Sequence, residues 1–166
     1  MRSILFICIV GLLFFSCKKD KTHAGKKVEI YLLKGYRPAM GPCKVDETIA
    51  VLEAEPLVAD SDIKSYSMSN FSYAIKDSAF KKISNLSMRT PFAVTVDKRV
   101  IYYGIYMPLI ASSTCDQSIT MHEDFTTKGV VMQLGYPVLY DGMDIADHRN
   151  DPELLATLIA QSKLIP

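Results

Sequence analysis

From Val28 onward, the alternation of apolar and polar positions lays down short β elements interrupted by two helical stretches. Val28 to Leu33 reads Val-Glu-Ile-Tyr-Leu-Leu, a β-rich run stopped by Lys34-Gly35, and is the natural first strand. Gly35 to Cys43 holds Gly35, Pro38, Gly41 and Pro42, which preclude a long helix or a central strand. Glu47 to Leu52 fits either a second strand or a short helix before Pro56. Asp60 or Ser61 would cap a single helical turn leading to Tyr66, and Tyr73 to Ile75 gives a short strand. Asp77 or Ser78 then precedes Ala79, Phe80, Ile83 and Leu86, whose spacing places them on one side of a helix.

The clearest β signal is Phe92-Ala-Val-Thr-Val-Asp97, Lys98-Arg99, then Val100 to Met107, two period-two runs joined by a polar turn. That turn is expected to be tight; Lys98 stands where a positive φ favours glycine, which leaves a slightly longer or less regular turn as the alternative. Val130 to Leu134 supplies another strand with Val130, Met132 and Leu134 on one face, ended by Gly135 and Pro137. Asn150-Asp151-Pro152-Glu153 carries a capping residue, a first-turn proline and a glutamate three after the asparagine. It opens a helix to about Lys163 with a buried stripe of Leu154, Leu155, Leu158 and Ile159. No internal repeat is visible. The element order predicts an α+β fold, a mainly antiparallel sheet with helices packed on one face.

The first 27 residues have a different pattern. Arg2 is followed by an apolar run from Ile4 to Phe15, then Ser16-Cys17 and an abrupt switch to Lys18-Lys19-Asp20-Lys21. Twelve apolar residues make about 18 Å of helix, too short to cross a bilayer core. The run reads instead as a secretion signal over residues 1–16. A small residue directly before Cys17, with Phe14 and Phe15 preceding it, resembles the lipobox of bacterial lipoproteins, and the Ser-Cys-Lys-Lys-Asp junction resembles those of Bacteroidota. That resemblance implies an acylated Cys17, a tether over residues 17–27 and a single domain over residues 28–166. It also implies a lipid-anchored position in the cell envelope, on the outer membrane facing the periplasm. Two or more acyl chains make a stable anchor.

Composition narrows the remaining possibilities. The chain has 166 residues, of which 49% are hydrophobic and 22% charged, which excludes a disordered polyelectrolyte. A formal charge of +1 offers no global field for gripping nucleic acid. The charge is nevertheless segregated: Lys18 to Lys27 carries five lysines against Asp20, whereas Val28 to Pro166 carries 13 basic and 17 acidic residues, a balance of −4. Of four cysteines, Cys8 lies in the leader and Cys17 at the anchor, leaving Cys43 and Cys115 as a pair expected to form a disulfide in an oxidising compartment.

With these elements placed, residues 56–166 resemble the head subdomain of the first periplasmic domain of SecD. The shared features are Pro56-Leu57-Val58 with Asp62-Ile63, the helix carrying Ala79-Phe80, Phe92 to Asp97 with Val100-Ile101, Pro108-x-Ile110, and Ser118-Ile119-Thr120. A closing helix from Asp151-Pro152-Glu153 to Leu164-Ile165-Pro166 completes the pattern. Lys98 replaces a family glycine and no transmembrane helices follow, so the resemblance implies a fold and not an export function.

No motif for chemistry stands out. Asp141, Asp144, Asp147, His148 and Asp151 offer oxygen and imidazole ligands, yet lack EF-hand or zincin spacing and read first as a loop and helix cap. His122-Glu123-Asp124 reads as an exposed turn. Ser112, Ser113 and Cys115 have a candidate base in His122, but the nucleophile elbow is absent. No phosphate loop is present, and no cofactor is implied. Tyr103, Tyr106 and Tyr136 remain as candidate rim residues of a binding surface. The function expected is a non-enzymatic protein- or peptide-binding module using a sheet face or edge. The alternatives are a metal-assisted hydrolase built on Asp144, Asp147 and His148, and a carbohydrate-binding envelope protein.

Overall fold

A computed structural model describes residues 25–34, 43–138 and 143–166. The signal segment, Cys17, most of the tether, Tyr140 and Asp141 lie outside the described residues. In chain order the elements are β1 (Val28–Lys34), β2 (Val51–Leu52), a 3-10 turn (Asp60–Asp62), β3 (Ile63–Ser67), β4 (Ser72–Ile75), α1 (Asp77–Ser84), β5 (Pro91–Val96), β6 (Arg99–Tyr106), β7 (Cys115–Asp124), β8 (Gly129–Tyr136), α2 (Pro152–Ala160) and β9 (Leu164–Ile165). Among the described residues the strands form one sheet in the order β2-β1-β5-β6-β7-β8-β4-β3-β9. Pairing is antiparallel except at β6–β7 and β3–β9. No helix among the described residues is long and apolar enough to cross a membrane.

Strand alternation sorts the core into two clusters. Val28 and Ile30 of β1 and Phe92, Val94 and Val96 of β5 enter the larger one. Leu33 of β1 and Ala93 of β5, on the opposite side of those strands, join Cys43, Val45, Ile105, Met107, Cys115 and Tyr136 in the smaller. Ala79 and Ile83 of α1 and Leu154 and Leu158 of α2 all belong to the larger cluster.

Several local expectations are corrected. The tight polar turn between Val96 and Arg99, by contrast, occurs as expected, two residues long, with Asp97 and Lys98 both at positive φ (50° and 64°) without glycine. The Asp97 carboxylate accepts a hydrogen bond from the Lys27 amide, tying the chain's entry to this turn. The helical turn at Asp60 stops at Asp62, and Tyr66 lies in strand β3, its hydroxyl donating to Arg149 O and Asn150 Oδ1. Glu47 lies in a turn, and the strand alternative survives only as Val51–Leu52.

In α2 the cap is Asp151, whose Oδ1 accepts from the Glu153 and Leu154 amides, while Asn150 is committed to Tyr66 and Met68. The helix ends at Ala160, short of Lys163. Ser162 turns left-handed (φ 57°) and the Lys163 amide closes back on Leu158 O. Its buried residues are Leu154, Thr157 and Leu158; Ile159 is 61% exposed because it falls off the edge of the stripe.

The β6–β7 junction positions everything that follows. Only Gly104, Ile105 and Tyr106 pair with β7, opposite Ile119, Thr120 and Met121. Gly104 is required there. A Cβ at that position would sit 2.3 Å from Phe92 Cζ and 2.8 Å from Ile119 O. Gly104→Ala is therefore expected to destabilise the protein by about 1–3 kcal/mol through overpacking, as read from urea unfolding; a change inside experimental error would show that the two strands separate freely.

Candidate binding groove between two parting strands

Upstream of Gly104, β6 and β7 diverge, and no residue from Arg99 to Tyr103 has a partner on β7. Both strands carry an irregularity at this level. In β6 the register against β5 slips between Val94 and Thr95, whose partners are Tyr102 and Val100, so one residue of β6 is extra. In β7 the register against β8 slips between Cys115 and Ile119, which oppose Tyr136 and Leu134. Bulges bend a strand and increase its twist, which turns the two strands away from one another. The space left is a half-open groove of about 540 Å³.

The two walls of the groove come from segments that have to be pinned. One is formed by Lys44, Val45 and Glu47, just after Cys43. Cys43 is bonded to Cys115 at the start of β7, with Cα atoms 5.2 Å apart, and both residues are buried. The Ser118 hydroxyl donates to Cys43 O at 2.8 Å, so the wall is fixed to β7 twice. The other is formed by Asp144, Ile145, Ala146 and His148. Here the anchor is Arg149, whose guanidinium makes two bonds to the Asp147 carboxylate (2.8 and 2.7 Å) and a third to Met132 O on β8 (3.1 Å). It also lies 3.6 Å above the centre of the Phe71 ring. Those hydrogen bonds hold the Asp147 carboxyl below its usual range.

The sequence-derived candidates fall differently. Tyr103 lines the groove, half-buried, its hydroxyl pushed up by burial and then by the Glu47 charge. Tyr106 and Tyr136 do not form a rim with it. Tyr106 is buried with its hydroxyl hydrogen-bonded to the buried Glu123 carboxylate. Tyr136 is buried with its hydroxyl donating to Leu109 O and accepting from the Ala111 amide, so it fastens the connection that returns the chain from β6 to β7. Glu123 and His122 belong to β7 rather than to an exposed turn, and burial pushes the His122 imidazole down from its ordinary value.

His122 is seven residues along β7 from Cys115, about 23 Å away at strand rise, and is not a base for Cys115 or its neighbours. Ser113 accepts from the Arg89 guanidinium. Of the proposed metal ligands, Asp144 and His148 line the groove, whereas Asp147 is taken by Arg149 and Asp151 by the α2 cap. No group of three or more metal-ligating side chains occurs among the described residues. Glu47, Lys44, Gln117 and Ser118 are groove residues the sequence did not single out. The signal that could have found them was nearness to the two cysteines.

Comparison of the chain with protein-family models, with curated proteins and with solved structures yields no match.

The Cys43–Cys115 bond closes a loop of 72 residues in sequence separation, for which the chain-entropy relation gives about 4 kcal/mol. Replacing both cysteines by serine is expected to lower stability by about that amount in urea denaturation, and to raise hydrogen exchange first in the segment after Cys43. Uniform protection across that segment in the double variant would place the wall's support elsewhere.

Proposed function

We propose that this chain is a lipid-anchored cell-envelope protein, acylated at Cys17 and facing the periplasm from the outer membrane, whose folded part binds an extended protein or peptide segment. The parting of β6 from β7 carries this reading. A strand stretch with no neighbour on one side among the described residues is the surface to which an extended segment adds by main-chain hydrogen bonds, with side-chain pockets giving selectivity. The groove's volume and its mixture of tyrosine, aliphatic and polar lining suit such a ligand. The disulfide supports an oxidising compartment. Both helices are read as covering the same side of the sheet, since their buried residues enter one cluster, leaving the other side to the disulfide-bonded segment. The likeness of residues 56–166 to the SecD head belongs to this reading as a likeness of fold.

Two experiments test it. Metabolic labelling with a clickable palmitate analogue is expected to mark the wild-type chain in the membrane fraction and to leave Cys17→Ala unlabelled; label on both would refute the anchor. For binding, the full chain in detergent is expected to enrich peptides from a random displayed library, and a bound peptide is expected to protect the Arg99–Tyr103 amides from hydrogen exchange. Gln117→Trp, a bulky side chain placed at an exposed groove position, is expected to abolish both effects. Enrichment and protection unchanged in Gln117→Trp would remove the groove from the proposal.

A further inference from the structure

The charges around the groove select among extended ligands. Glu47 stands on one wall and Asp144 on the other, both exposed, and neither is in an ion pair among the described residues. Tyr103 lines the same groove, and the Glu47 charge acts on its hydroxyl. Among the described residues the lining holds the carboxylates of Glu47 and Asp144, one lysine, Lys44, and the His148 imidazole. The surrounding body is net acidic, with 17 acidic and 13 basic residues from Val28 to Pro166. A cationic side chain approaching this cleft is drawn by the long-range field, meets the Tyr103 ring, and finds two carboxylates, Glu47 and Asp144, in the same lining. An anionic one meets the opposite of each.

We infer that the preferred occupant is an extended peptide segment carrying a lysine or arginine, its backbone alongside Arg99–Tyr103 of β6 and its cation seated at Tyr103 between Glu47 and Asp144. This rests on the peptide-binding reading above and specifies the partner's chemistry. The five residues from Arg99 to Tyr103 accommodate about 17 Å of extended chain, enough to fix the register of one anchoring side chain.

The test uses the full chain in detergent and a random heptapeptide library displayed on phage, the enriched peptides being synthesised and their affinities measured by fluorescence anisotropy. Enriched peptides are expected to share a lysine or arginine at one position, and exchanging it for glutamine is expected to weaken binding at least tenfold. Glu47→Lys combined with Asp144→Lys is expected to weaken binding by a similar factor with an unchanged thermal midpoint, both positions being exposed. Raising salt from 50 to 500 mM is expected to weaken it several-fold. Peptides that are blocked by Gln117→Trp yet share a neutral or acidic anchor, or ignore the double charge reversal, would overturn this inference and leave the peptide-binding reading standing. Failure to enrich any peptide, or saturable binding of glycans alone in a parallel array, would overturn both.

Discussion

Parallel strands are ordinarily joined by a crossover of a dozen or more residues, usually including a helix, because the chain must travel the full strand length backwards before it can pair again. Here β6 and β7 are parallel neighbours joined by the stretch from Met107 to Thr114 alone. That short return is the constraint on which the rest of the molecule turns. The loop cannot carry its own core, so it is fastened from outside: the Tyr136 hydroxyl grips Leu109 and Ala111, Arg89 holds Ser113, and Met107 is buried beside Cys115. With so little chain to spare, the strands pair over three residues and then part. The irregularities in β6 and β7 turn that parting into a groove instead of a frayed edge.

A gap in the middle of a sheet exposes backbone to water and invites collapse, so its persistence needs rigid walls. The two walls are held by unlike devices. The disulfide constrains the segment after Cys43 covalently, and does so beside a small apolar cluster that could not hold it alone. The Arg149 site uses a charge-assisted network whose members are all satisfied locally, with Asp147, Met132 O and Phe71 around one guanidinium. Such a network has strict geometry, because an arginine removed from a buried site leaves its acceptors without partners. Since neither device enters the groove itself, the lining stays open for a ligand. A groove built before the ligand arrives spares the association the ordering cost that a flexible one would add.

Local signals in the sequence were read well where one face of an element is apolar throughout. The hairpin of β5 and β6, the first strand and α1 each present such a face, and they occur where alternation or helical spacing places them. Strand β7 was not legible, because its inward positions are chemically mixed. Thr120 is buried with its hydroxyl on Gly135 O, and Glu123 is buried against Tyr106, so the run Ser-Ile-Thr-Met-His-Glu looks like a polar loop. The same holds for β3, where Lys64 and Ser65 interrupt Ile63 and Tyr66. The tyrosines misled for a related reason: a phenol counts as amphipathic until its hydroxyl partner is known, and those of Tyr106 and Tyr136 are inside.

The groove itself was the least legible feature, since it arises from register slips and a non-local parallel pairing that leave no mark in composition. What the sequence did carry was the cysteine pair that braces one wall, and two members of the proposed metal set, Asp144 and His148, which the fold brings to the other. Their grouping in the chain suggested chelation. The fold divides the set instead, giving Asp147 to Arg149, Asp151 to a helix cap, and Asp144 and His148 to the groove that Glu47 also lines. Two carboxylates from separate segments fall short of the roughly six to eight oxygen ligands that a hard metal cation takes. They line a path, and a path suits a chain that extends through it.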